Sequence, residues 1–183
     1  MNGHHDHDKS LKDFKRSGCE IISYETLDKK VEQKIVDNFT ITTFPVEHNA
    51  DNWGIIIKDN ETGTKVCYVT DFTKMPKVEN IDHYIYEINY IEADIDARVD
   101  AGGYDKFKHT GFTHHNSLEN AIEYFEGLSV KPTSINICHL SKDNGNWKKI
   151  NKQLKQHFKN ITINLLEPNK EIILKEKING ERQ

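Results

Sequence analysis

The chain has 183 residues, room for one domain of ordinary size and a short tail. Hydrophobic residues make up 36% and the formal net charge is −4; the mean hydropathy of −0.75 is polar for a globular chain, yet the apolar residues fall in runs that can build a core. No run is long enough to cross a bilayer, the polar start Met1-Asn2-Gly3-His4 is no secretory signal, and Cys19, Cys67 and Cys138, odd in number and far apart, fit buried thiols in a reducing, cytoplasmic compartment.

Taken in chain order, Ser10 is a helix N-cap, with Leu11 and Phe14 on one face and Gly18 as the stop. Cys19 to Tyr24 reads as a strand, Glu25 to Val36 as a helix and Phe39 to Val46 as a strand. Gly54 to Lys58 and Lys65 to Thr70 are strands joined by the turn Asp59-Asn60-Glu61-Thr62-Gly63, hence a hairpin. His83 to Tyr90 is a further strand. Leu118, Ala121, Ile122, Phe125 and Leu128 share one helical face behind the cap Ser117. Ser134 to Leu140 is a strand, and Trp147, Ile150, Leu154 and Phe158 mark an amphipathic helix. Ile161 to Leu166 and Glu171 to Leu174 read as a closing hairpin, and the tail 176–183 frays. This order describes an α/β or α+β layered domain over residues 1–175. The part beyond Ser141 is basic and the rest acidic, which reads first as a solvated helix face.

The histidines are the informative feature: there are ten. His4, His5, Asp6, His7 and Asp8 interleave imidazole and carboxylate, the usual donors to zinc and similar ions, just before a helix. His48, Asp71 and His139 each follow a predicted strand. Loops at one edge of an open α/β sheet are where such folds build sites. His5, His83, His109 and His157 read as surface or locally hydrogen-bonded groups, and no Cys-x-x-Cys pair marks the thiols as ligands.

These residues resemble the metallo-β-lactamase-fold hydrolases. That family's H-x-H-x-D-H motif falls on Asn2, His4, Asp6 and His7, with Asn2 where the first histidine stands. Its later ligands fall on His48 in Pro45-Val46-Glu47-His48, on Asp71 in Tyr68-Val69-Thr70-Asp71, and on His139 in Cys138-His139-Leu140-Ser141. The branch of WalJ-like proteins related to ribonuclease Z-type phosphodiesterases is nearer still. It shares an E-x-N strand (Glu87-Ile88-Asn89), a helix start (His114-His115-Asn116-Ser117-Leu118-Glu119-Asn120-Ala121) and H-L-S-x-x-N (His139 to Asn144).

The resemblance implies a β-sandwich flanked by helices, here as its C-terminal two-thirds without the first strands. It implies one or two zinc or manganese ions: His4 and His48 for one, Asp6, His7 and His139 for the other, Asp71 bridging. A metal-activated hydroxide would attack a phosphodiester in a small molecule or a nucleic acid. Asp71 and His115 would have catalytic roles, with His115 donating to a substrate oxygen and Glu87 and Asn89 in support. The alternative is an impaired or inactive relative acting as a binding or structural protein. With its first strands absent, the chain is expected to self-associate or to take a completing polypeptide.

Overall fold

The computed structural model describes Arg16 and residues 33–102 and 114–174. Its elements, in chain order, are β1 (Gln33–Val36), β2 (Phe39–Val46), β3 (Asn52–Asp59), β4 (Lys65–Val69), β5 (His83–Glu87), α1 (Glu92–Asp100), α2 (Leu118–Glu126), β6 (Ser134–Cys138), α3 (Trp147–His157) and β7 (Thr162–Leu165). Short links make the first four strands antiparallel neighbours. In the link after β3, the Asp59 carboxylate accepts from the Glu61 N–H at 2.8 Å and the Thr62 hydroxyl at 2.9 Å, and Gly63 takes φ 73, a value natural to glycine. Those bonds hold the Asp59 carboxyl below its ordinary range. Longer connections, two of them carrying helices, then make β4 to β7 parallel. The described strands form one mixed sheet of 7, in the order β1-β2-β3-β4-β5-β6-β7.

Register divides the sheet into two unlike faces. Cys67, Tyr84 and Ile135 sit side by side, as do Val69, Tyr86 and Ile137. All six are buried under Leu118, Ala121 and Phe125 of α2 and Ile150 and Leu154 of α3. Burial of one such side chain contributes roughly 1.5–3 kcal/mol, so this face carries the core. On the other face, Phe39, Ile57 and Tyr68 remain 45%, 37% and 41% exposed. Farther along it runs a buried polar ladder. His83 Nδ1 lies 2.9 Å from Ser134 Oγ, Asn136 donates to Ser134 Oγ at 3.0 Å and to the Tyr84 carbonyl at 2.9 Å, and Asn164 donates to Asn136 Oδ1 at 2.9 Å. Each polar group there is partnered, as burial demands.

Two expectations are corrected and one helix is added. The helix over 25–36 is, in its described part, strand β1. The two-residue link Asp37-Asn38, with Asp37 at φ 50, reverses the chain and pairs Gln33–Val36 with Phe39–Thr42. The closing hairpin does not form: β7 pairs parallel with β6, and residues 171–174 carry no strand. A helix that the sequence reading left out, α1, follows the N-cap residue Ile91, whose side chain gives it no cap. Its first N–H groups, at Glu92 and Ala93, donate to the Glu119 carboxylate of α2 at 2.9 and 3.1 Å, so the cap comes from another helix. Farther along α2, Glu79 accepts from Ser129 at the helix's far end and pairs with Lys77 at 2.6 Å. Lys77 and then the Ser129 N–H hold the Glu79 carboxyl down at about 2. The predicted elements at Ser10 to Gly18 and Cys19 to Tyr24 lie outside the described residues, and among those residues no helix is long and apolar enough to cross a membrane.

Candidate metal centre

The parallel part of the sheet brings its carboxyl ends into line. Val69 pairs with Tyr86 and Tyr86 with Ile137, and Glu87 pairs with Cys138. The strands predicted to run to Tyr90 and to Leu140 stop at Glu87 and Cys138. Three chemistry-bearing side chains therefore emerge on one edge: Asp71 two residues past β4, Glu87 as the last residue of β5, and His139 directly after β6. The loop before α2 adds His115. One ligating atom from each of the four lies within 4.8 Å of all the others.

Carboxylates make the floor and imidazoles the mouth. Glu87 is 0% exposed and Asp71 4%, whereas the side chains of His115 and His139 are 23% and 37% exposed. His115 Nδ1 lies 2.8 Å and His139 Nδ1 3.0 Å from the same oxygen, Glu87 Oε1. Both Nδ1 atoms lie 3.6 Å from Asp71 Oδ1. Glu87 Oε2 accepts the Asp71 backbone N–H at 2.5 Å. Burial pushes the Glu87 carboxyl up, but the hydrogen bonds and charges of His115 and His139 outweigh it and hold it below the usual range. An ionised carboxylate only accepts, so each imidazole presents Nδ1–H to it. Glu87 thereby sets the tautomer and tilt of both rings, whose centroids are 5.3 Å apart.

The backbone is strained at two of the four. Asp71 and His139 both take φ 54, the left-handed region that costs a non-glycine residue about 1–3 kcal/mol. Each is the point where the chain leaves a parallel strand and turns across the sheet edge. Two cavities adjoin this edge. One, of about 390 Å³, lies between α2 and the loop after β4 and is lined by Phe72, Met75, Tyr86, Asn116 and Tyr124. The other, of about 640 Å³, is lined by His48, Asp51, Trp53, Thr73 and His114.

Of the residues expected at the site, Asp71, His115 and His139 come together. His48 stands in the second cavity, its ring 6.0 Å from that of His114, outside the group of four. His4, Asp6 and His7 lie outside the described residues. Glu87, read from the sequence as support, is in the group itself; its signal is a carboxylate inside the apolar run Tyr86-Glu87-Ile88. His114 carried no signal of its own. Among the thiols, burial pushes Cys67 up to about 12 and raises Cys138 as well, so neither offers a thiolate near neutral pH. His83 bonds to Ser134, and His157 to Glu126 at 2.6 Å.

No family model and no curated protein matches the chain. Solved structures do. YhfI from Bacillus subtilis, a metallo-β-lactamase fold protein, superimposes with a TM-score of 0.56 at 19% identity over 87% of this chain and 60% of its own. Unliganded yeast PDE1 gives 0.50 at 9% identity over 77% and 47%. The short form of human tRNase Z gives 0.48 at 13% identity over 89% and 62%. The chain thus spans about three-fifths of YhfI. At these identities the likeness concerns the path of the chain: the protein has the metallo-β-lactamase fold.

Proposed function

We propose that the protein is a metal-dependent hydrolase that cleaves a phosphodiester, in a small molecule or a nucleic acid, using one or two zinc or manganese ions. The observation that carries this reading is the convergence of Asp71, Glu87, His115 and His139 at one sheet edge. The donor set fits the ions: two carboxylates and two imidazoles suit zinc and manganese, and none of the four is a thiolate that would select a softer metal. Asp71 and His139 would hold an ion, and by the resemblance His4, Asp6, His7 and His48 would complete the set. A bound divalent ion supplies an acidified water and offsets charge on the substrate. The protein's own groups do the rest. Glu87 fixes both rings through Nδ1–H. His115, so held, donates from Nε2 to a substrate oxygen when its ring is cationic. The phosphodiester part of the reading rests on Glu87-Ile88-Asn89 and His139-Leu140-Ser141, which resemble the ribonuclease Z-type branch.

Hydrolysis of bis(p-nitrophenyl) phosphate by purified protein tests the reading. Turnover should appear with manganese or zinc and vanish on chelation. Folded protein that turns over nothing with either ion would leave the second reading, a binding or structural relative, which Asn2, standing where the family motif has its first histidine, favours.

In the same reading residues 1–175 act as one cytoplasmic domain. Its partner surface is the sheet face of Phe39, Ile57 and Tyr68, where register puts these side chains together and more than a third of each is exposed. Apolar faces of this kind favour association, whether with a second copy or with a completing polypeptide. Sedimentation should show a species heavier than one chain, shifted toward the monomer by Tyr68→Lys; a wild-type monomer at high concentration would end this part of the proposal.

A further inference from the structure

Three asparagines far apart in the chain make the same contact. Asn52 donates through Nδ2 to the carbonyls of Thr70 at 2.7 Å and Asp71 at 2.5 Å. Asn89 donates through Nδ2 to the carbonyl of His139 at 2.7 Å. Asn116 donates through Nδ2 to the carbonyl of Glu87 at 3.0 Å. The three are 6%, 6% and 1% exposed. Each amide therefore grips the backbone of one member of the candidate metal centre, out of reach of bulk water.

The bonds are placed to fix direction as well as position. The Thr70 and Asp71 carbonyls belong to the two peptide planes on either side of the Asp71 Cα. One amide bonded to both leaves little freedom in φ and ψ at that residue. At His139 the Asn89 amide holds the following peptide plane, and the Ile88 N–H, donating to the Cys138 carbonyl at 3.4 Å, holds the preceding one. These are the two members with φ 54, the conformation that a non-glycine residue abandons unless it is over-determined. Two of the clamps are also joined: the Asn89 N–H donates to the Asn116 carbonyl at 2.9 Å, and the Ser141 N–H donates to the Asn89 carbonyl at 2.9 Å. Asn52 is held locally, its Oδ1 accepting from the Trp53 N–H at 2.9 Å.

We infer that Asn52, Asn89 and Asn116 are positioning residues, a set of backbone clamps that aims Asp71, His139 and Glu87 at one point before any ion arrives. The inference rests on reading those three as part of a metal centre. The side chain has to be an amide. A carboxylate would set oxygen against a carbonyl oxygen, and an alanine would leave a buried carbonyl without its donor.

Asn136 supplies the control. It is 0% exposed and its Nδ2 donates to a backbone carbonyl, that of Tyr84, at 2.9 Å, but in mid-sheet and not at the centre. The experiment compares Asn52→Ala, Asn89→Ala, Asn116→Ala and Asn136→Ala by Co(II) titration followed in the visible spectrum, and by hydrogen exchange of the Asp71 N–H in the metal-free protein. The three clamp variants should bind Co(II) about 10–100-fold more weakly, as loss of a partner behind a ligand does, and Asn136→Ala less than about 3-fold even where it lowers the melting temperature as much. Asn52→Ala should speed exchange at Asp71 in the absence of metal, and Asn136→Ala should not. Co(II) affinities that merely follow the melting temperatures, or Asp71 exchange unchanged in Asn52→Ala, would overturn the clamp. Wild-type protein that takes up no Co(II) while Asn52→Ala still speeds Asp71 exchange would overturn the metal reading and leave the clamp standing.

Discussion

Asp71→Asn should abolish divalent-metal binding and hydrolysis together, and leave the fold in place. The substitution is nearly isosteric, and asparagine is among the few residues that tolerate a left-handed backbone, so φ 54 at this position is no obstacle. The Asn52 clamp touches only the main chain here and is kept. What goes is a buried negative charge facing the Nδ1 atoms of His115 and His139, each at 3.6 Å. Loss of a group behind a metal ligand costs about 10–100-fold in affinity, and removal of a ligand that would bridge both ions should exceed that. The metal-free protein should still melt cooperatively, because the Asn52 amide and the Glu87 carboxylate both bond to the Asp71 main chain, which the substitution keeps. Metal titration, phosphodiester turnover and a chelator-treated melt check the three parts. Unchanged turnover would place the activity in a contaminant or another site.

The largest effect on stability should come from Phe125→Ala, a loss of about 3–5 kcal/mol in urea unfolding. Phe125 is 0% exposed, and its ring centroid lies 4.8 Å from that of Tyr86, 5.1 Å from Tyr84 and 6.2 Å from Phe158. It is the side chain through which α2 meets both the sheet and the segment that ends α3. Truncation leaves a cavity that stiff aromatic neighbours fill poorly, since Tyr84 and Tyr124 are tied by their hydroxyls to Val78 at 2.6 and 3.1 Å. A loss under about 1 kcal/mol would mean that α2 repacks freely, contrary to a helix held on the sheet by this residue.

Much of the layered core could be read along the chain. Leu118, Ala121 and Phe125 recur at helical spacing behind Ser117, and Ser117 Oγ does accept the Asn120 N–H at 3.1 Å. Ile150 and Leu154 do the same in α3. Asp71 and His139 each follow a short apolar run, the pattern of a polar residue at the end of a buried parallel strand. Such signals are periodic within one element, and the residue types themselves carry them.

Other features are decided between elements, where no local pattern reaches. Gln33–Val36 could be helical until the Asp37 turn lays them against β2. The helix α1 lacks a cap in its own sequence and takes Glu119 from 27 residues away in the chain. β7 joins β6 in parallel because α3 carries the chain back across the sheet before it pairs. Glu87 enters the candidate centre because strand register sets its carboxylate between two histidines, 28 and 52 residues distant. Asn89 is marked by its motif, but Asn52 and Asn116 carry no signal in the sequence, and the contact common to all three exists only once five chain segments meet at the sheet edge. A sequence determines where polar groups interrupt apolar runs, because hydrophobic burial is periodic along each element. Which of those groups face one another is set by hydrogen bonds across the sheet edge, and these form only after the strands have chosen their neighbours.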